Sequence, residues 1–515
     1  MNPSTLSRRD LLKAGAAVGA TSVVASALPG MSAGAATPAS LNDIEHVVIL
    51  MQENRPFDHY FGTLSGVRGF SDPTADPAVF YQFDPDLAQN PSGKPYILPW
   101  RFDTNTMSGQ NAAGNSHAWS AQHLMWNEGL MDAFVITQRA SVDLLGNFPG
   151  PPTIPLTDVG PVVMSYFTRE DIPYYYELAD AFTICDNYHC SVLGPTNPNR
   201  VTSMSGTIDP SGSLGGGPVI DNNSKNGSLQ WETYCQRLQA AGIDWYVYQE
   251  EDNDTNNMLG LFGAFNDTTT DIYRRGMTII PTTKGQAYGP GLIDKFTADV
   301  ESGNLPQVSW ILAGYLNCEH PNATPAFGQN FTNGVLQALM ANPKVWAKTA
   351  LILHYDENDG KFDHVTPPTA PLGTAGEYIN LAKDLANPES SFGIPGPVGL
   401  GFRVPCMVLS PFSRGGLLCS DVLDHTSVLR FLERRFGVEV PYISDWRRNT
   451  VGDLTGAFNF AGGLNTSIPQ LPNTWDLAIE ALWQEAHLPQ PVMPRVQSMP
   501  VQEPGPPRRA PSGIV

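Results

Sequence analysis

The sequence predicts an α/β sandwich, a mostly parallel central sheet covered by helices. Three observations carry this. Short runs are apolar at successive positions, so both faces are buried. Segments with helical apolar spacing lie between them, and polar clusters follow many of the runs. The runs fall at 46–51, 181–185, 244–248, 308–312, 349–353 and 404–409. Helical spacing covers 229–241 and 335–341. Asp424 offers an N-cap to a helix over 428–436 that Gly437 stops. In such sheets ligands sit beyond the carboxyl ends of the strands.

The 515 residues, 41% hydrophobic and 16% charged, suffice for a sizeable core. The mean hydropathy is −0.19. A formal charge of −20 argues against a general grip on nucleic acid and against adhesion to an anionic membrane by charge alone. The 48 glycines and 45 prolines imply many ordered loops on a rigid frame. No internal repeat is present. The six cysteines, Cys185, Cys190, Cys235, Cys318, Cys406 and Cys419, form no C-x-x-C pattern. Disulfides and buried thiols stand level as readings.

Arg8-Arg9 precede a mild apolar stretch over 14–28, and Ala33-Gly34-Ala35 offers a cleavage site. These features in order predict a twin-arginine export signal over residues 1–35 and a secreted or cell-wall-associated protein. Removing residues 1–35, with Arg8, Arg9 and Lys13 against Asp10, takes the charge from −20 to −22. A single catalytic domain is expected over 36–485, and a Pro-rich, extended or disordered tail over 486–515.

Glu53-Asn54 follow the first run directly. A carboxylate and a carboxamide are hard oxygen ligands for a divalent cation, although such a pair alone also suits a turn or cap. Asp356-Glu357 stand at a similar place beyond 349–353, with Asp363-His364 soon after. Adjacent carboxylates repel unless a cation joins them, so the two clusters together favour a metal. Oxygen ligands favour Ca, Mg or Mn. Thr196 is flanked by Pro195 and followed by Pro198, which hold its hydroxyl in place. That hydroxyl is a weak nucleophile until a metal or base activates it. Arg200 offers a planar fork for phosphate oxygens. Taken alone, this loop reads as a Pro-rich turn. His117 and His320 are placed to protonate a leaving alkoxide or to bind phosphate, though a single histidine is more often structural. His123, His189, His354 and His425 stay unassigned. No Gly-rich P-loop and no G-x-S-x-G elbow occurs. The parts suggest metal-assisted phosphoryl transfer through a covalent phosphothreonine.

The run Glu53-Asn54-Arg55-Pro56-Phe57-Asp58-His59-Tyr60-Phe61-Gly62 resembles the opening signature of the bacterial phosphoesterase family of phospholipases C and acid phosphatases. Gly194-Pro195-Thr196, Tyr355-Asp356-Glu357, Phe362-Asp363-His364 and Asp424-His425-Thr426-Ser427 fit it too, over about 44–460. The resemblance implies an alkaline-phosphatase-like three-layer sandwich. It implies a metal held by Glu53, Asn54, Thr196, Asp356 and Glu357, with Thr196 as nucleophile and His117 and His320 binding phosphate or supplying the acid. Thr196 rather than serine, and Asn358-Asp359-Gly360, resemble the phospholipase C branch. The expected substrate is a phosphatidylcholine-like phospholipid at a membrane surface, cleaved to diacylglycerol and a phosphorylated head group. No nucleic-acid or protein partner is expected. The chain ends before the extra C-terminal domains of the larger members, so it resembles the shorter branch. Lys361 stands where an aromatic residue is usual, Glu128 where a small or neutral one is, and 144–159 resembles an insertion near the mouth. Trp245, Tyr246, Tyr248 and the acidic run 250–252 are candidate head-group contacts. The alternatives are an acid phosphatase for soluble monoesters and a non-catalytic binding protein.

Overall fold

The structure is a computed structural model that describes residues 39–88, 90–110, 114–145, 159–253, 255–281, 290–380 and 394–512. The expected export signal, and all but the ends of the expected insertion, lie outside these residues.

Seven strands form the central sheet: β1 (His46–Gln52), β2 (Thr183–Cys185), β3 (Trp245–Gln249), β4 (Val308–Leu312), β5 (Thr349–Tyr355), β6 (Cys406–Leu409) and β7 (Leu417–Cys419). Their order is β7-β2-β6-β5-β1-β4-β3. β1 pairs in parallel with both β5 and β4, so that Ile49 faces Ile352 on one side and Trp310 on the other. β3 continues the parallel set beyond β4. Only β6 runs against its neighbours. Every residue of β4 and β5 is buried, as the unbroken apolar runs require. All six expected runs enter this sheet. The seventh strand, β7, escaped the sequence reading because three residues after Gly415-Gly416 carry no period.

The helices that matter for the site are α1 (Phe57–Phe61), α2 (Trp119–Trp126), α3 (Pro173–Ala181), α4 (Thr196–Ser205), α5 (Tyr234–Ala240), α6 (Pro325–Ala341), α7 (His425–Phe436) and α8 (Thr474–His487). The expected helix 229–241 shortens to α5, because Thr233 caps it and Leu229 bridges to Phe262 instead. The expected helix 335–341 lengthens to α6, which opens with Pro325 at its first turn. α7 has the expected Asp424 cap and ends at Gly437 with φ 68°. Among the described residues no helix is long and apolar enough to cross a membrane.

All six cysteines are free and buried. Cys185 lies in register between Cys406 and Cys419. The tail beyond α8 has neither helix nor strand and is tied down at several points. Gln497 accepts from Leu98 N, Glu503 pairs with Arg169, and Arg508 donates to Ser65 O and Ala179 O.

Candidate active site

Four parallel strands, β3, β4, β1 and β5, end on the same edge of the sheet. β1 runs into Glu53-Asn54 and β5 into Asp356-Glu357. Their register sets Gln52 opposite Tyr355, so the two pairs emerge side by side. Asn54 N donates to Asp356 Oδ1 at 3.0 Å, and the Asn54 amide donates to Glu357 Oε1. Glu53 accepts from Asn256, in the loop beyond β3. All four residues are buried.

Thr196 is the half-buried first residue of α4. Asn199 fixes the turn before it, accepting from Val192 N and donating to Gly194 O and Pro195 O. One turn on, Arg200 Nε donates to Asp356 Oδ2 at 2.9 Å, and its Nη2 lies 3.4 Å from Glu53 Oε1. The guanidinium is therefore an internal counter-ion to the carboxylates rather than a free fork for phosphate. Burial opposes its charge, and Asp356 and Glu53 more than restore it.

His117 lies between two carboxylates, with Nε2 3.5 Å from Glu357 and Nδ1 3.7 Å from Asp359. Asp359 accepts from Asn115 and pairs with buried Lys361. The unusual lysine is thus a counter-charge within the site. His320 follows β4 on the facing loop. Burial lowers its pKa to about 4, so it is a neutral imidazole near neutral pH. Its Nδ1 is buried without a partner.

Negative charge dominates the cluster. Glu357 is pushed well above the usual carboxylate range by burial, then by Asp356 and Asp359. Among the described residues no group of three or more His, Cys, Asp or Glu side chains is arranged as a ready metal site. Here the donors close on one another through Asn54, Arg200 and Asn256. The residue types nevertheless fit a hard divalent cation. Asn54 Oδ1 is buried and unpartnered, and it belongs to the amide that bridges to Glu357. A cation would relieve the repulsion that now raises Glu357.

Two residues escaped the sequence reading of the site, Asn256 and Glu319, and Asp359 entered it only as part of the motif Asn358-Asp359-Gly360. Asn54, Asp359 and Glu319 all have positive φ, at 58°, 54° and 70°. Such strain collects at functional sites, but no sequence pattern announces it. Asn256 had one signal, its place after a predicted strand.

Other expectations move elsewhere. Asp363 and His364 join a separate buried network with Arg403 and Asp58. His425 Nε2 bonds Asp356 O at 2.8 Å, and Tyr188 OH links His425 to His354. His123 and His189 bond main-chain carbonyls, and burial lowers them to about 4 and about 3. Trp245 packs on Phe265 and Trp310, and Tyr248 OH donates to Asp299. These two are framework aromatics, not head-group contacts.

Residues 44–439 match the Phosphoesterase family. The chain is 42% identical over 499 residues to phospholipase C B of Mycobacterium tuberculosis, covering 93% of this chain and 91% of that one. It is also 42% identical to the non-hemolytic phospholipase C of Pseudomonas aeruginosa, over 97% of this chain and 70% of that one. Among solved structures, a protein of the alkaline phosphatase superfamily from Vibrio parahaemolyticus aligns at 13% identity. It covers 81% of this chain and 72% of that one, with a TM-score of 0.36, too distant a likeness to bear on chemistry.

Proposed function

The chain belongs to the phosphoesterase family, and from that premise we propose that it is an exported phospholipase C that cleaves phosphatidylcholine-like lipids through Thr196. The observation that carries the reading is the 42% identity to phospholipases C along nearly the whole chain. The convergence of Glu53, Asn54, Asp356 and Glu357 at one sheet edge supports it.

Glu53, Asn54, Asp356 and Glu357, with Thr196, would hold a divalent cation, which supplies charge neutralisation at the phosphate and lowers the pKa of a bound hydroxyl. Asn199 fixes the turn that presents Thr196, and Arg200 braces Asp356 from below. Thr196 Oγ1 bonds to phosphorus as the bond to the glycerol oxygen breaks, and the threonine proton leaves to solvent. His117 gives the departing alkoxide its proton. Neutral His320 donates a hydrogen bond to a phosphate oxygen. Water then bonds to phosphorus as the bond from Thr196 Oγ1 to phosphorus breaks; a water proton returns to Thr196, His117 regains its proton from solvent, and the phosphorylated head group leaves.

The test is hydrolysis of phosphatidylcholine by the purified protein lacking residues 1–35, beside Thr196→Ala and with a chelator. Phosphocholine release that both abolish supports the reading. Turnover of a soluble phosphomonoester but no lipid would assign the acid phosphatase activity instead. Undiminished turnover by Thr196→Ala would overturn the nucleophile.

A further inference from the structure

Glu319 is wholly buried, yet four donors converge on its carboxylate. Tyr175 OH and Gln52 Nε2 donate to Oε1, the latter at 3.2 Å. Tyr60 OH and Tyr355 OH donate to Oε2, the latter at 2.9 Å. An ionised carboxylate has about four acceptor positions, so the group is saturated. Burial raises the hydroxyl pKa of all three tyrosines, so they stay protonated donors.

The positions of the donors give the cluster its meaning. Gln52 ends β1 and is followed by Glu53. Tyr355 ends β5 and is followed by Asp356. Glu319 itself is followed by His320. Tyr60 is on α1 and Tyr175 on α3. Bonds to main-chain carbonyls run the same way. Glu53 N donates to Cys318 O at 2.8 Å, and Arg55 Nε donates to Glu319 O at 2.9 Å. The left-handed φ of 70° at Glu319 is held by these contacts. α6 leaves room for the carboxylate with a glycine: a Cβ on Gly328 would lie 2.0 Å from Glu319 Oε1.

We propose that Glu319 is a positioning residue, whose carboxylate locks the residues preceding Glu53 and Asp356 to its own loop and so fixes both carboxylates and His320 in one arrangement. The inference rests on the phosphoryl-transfer reading of the site.

The experiment compares the wild type with Glu319→Gln, Tyr355→Phe and Gly328→Ala. The control is Tyr174→Phe, which removes a buried hydroxyl without a partner in the same helix. Gly328→Ala displaces the carboxylate with a new Cβ while leaving its charge and all four donors in the chain, so it tests the position of the carboxylate apart from its chemistry. Supporting-shell changes at such sites typically cost about 10–100-fold. Glu319→Gln and Gly328→Ala should lose kcat by about that factor, with KM changed less than about twofold, both read at a temperature where circular dichroism shows each variant folded. Tyr355→Phe should lose less, and Tyr174→Phe nothing.

Wild-type kcat in Glu319→Gln and Gly328→Ala would overturn the proposal, as would a loss carried entirely by KM. If the wild type cleaves only a phosphomonoester, the substrate reading fails, and the same kcat comparison on that ester decides the positioning role. If it cleaves neither, amide exchange decides. Faster exchange at 52–56, 317–321 and 354–358 together in Gly328→Ala, with the rest of the sheet unchanged, supports the lock, and unchanged exchange overturns it.

Discussion

His364 makes stability depend on pH in a direction that can be worked out from its contacts. Burial alone would lower its pKa. The Asp58 carboxylate, 2.6 Å from Nδ1, and Asp72, 3.5 Å from Nε2, outweigh burial and raise it to about 9. The ordinary value is 6.5. A folded-state pKa above the unfolded one stabilises the protein fully below pH 6.5, and that contribution disappears as pH rises through about 9. The difference corresponds to about 3 kcal/mol at most. Denaturant unfolding at pH 6 and pH 9.5 should therefore show a loss approaching that size. Glu250, which burial pushes up to about 7, loses stability over a neighbouring window, so the wild type alone does not isolate His364. His364→Gln does, because it should flatten the pH dependence by about 3 kcal/mol while leaving the share of Glu250. Equal pH dependence in the wild type and His364→Gln would refute the assignment.

Other outcomes follow from the same contacts. Arg403, fully buried, donates to Asp58 and Asp363. Arg403→Met strands buried Asp363 and leaves Asp58 with His364 alone, and should cost about 3–5 kcal/mol in denaturant unfolding, with part recovered at acid pH as Asp363 protonates. Truncation after Leu488 removes buried Met493, the Arg169–Glu503 pair and the Arg508 contacts, and should lower the thermal midpoint by roughly 5–10 °C. If the tail merely trails from the domain, the midpoint will not move.

The sheet was legible because burial on both faces imposes a local signature, the unbroken apolar run. The strands around Ile49, Trp310 and Ile352 could be read one at a time. α7 was legible for a similar reason, since Asp424 and Gly437 mark its ends within the chain. β7 was not, for three residues hold too little pattern. The tail was read only as extended or disordered, because its anchors, Arg169 and Ser65, are hundreds of residues away in sequence.

The same division holds at the site. Residue type singled out Glu53, Asn54, Asp356 and Glu357 beyond the strands, and the family resemblance added Thr196, His117 and His320. Tertiary structure alone decided what each one faces. The parallel register of β1 and β5 is what sets Asn54 against Asp356 and Glu357. The packing of loops and helices around the sheet turns Arg200 inward as a counter-ion and brings Asp363 and His364 to Arg403 and Asp58. It also joins Gln52, Tyr60, Tyr175 and Tyr355 around one carboxylate. The physical reason is that sequence records the chemistry and local period of each segment. Pairing in space depends on strand order and register, which arise only when every apolar run is buried at once.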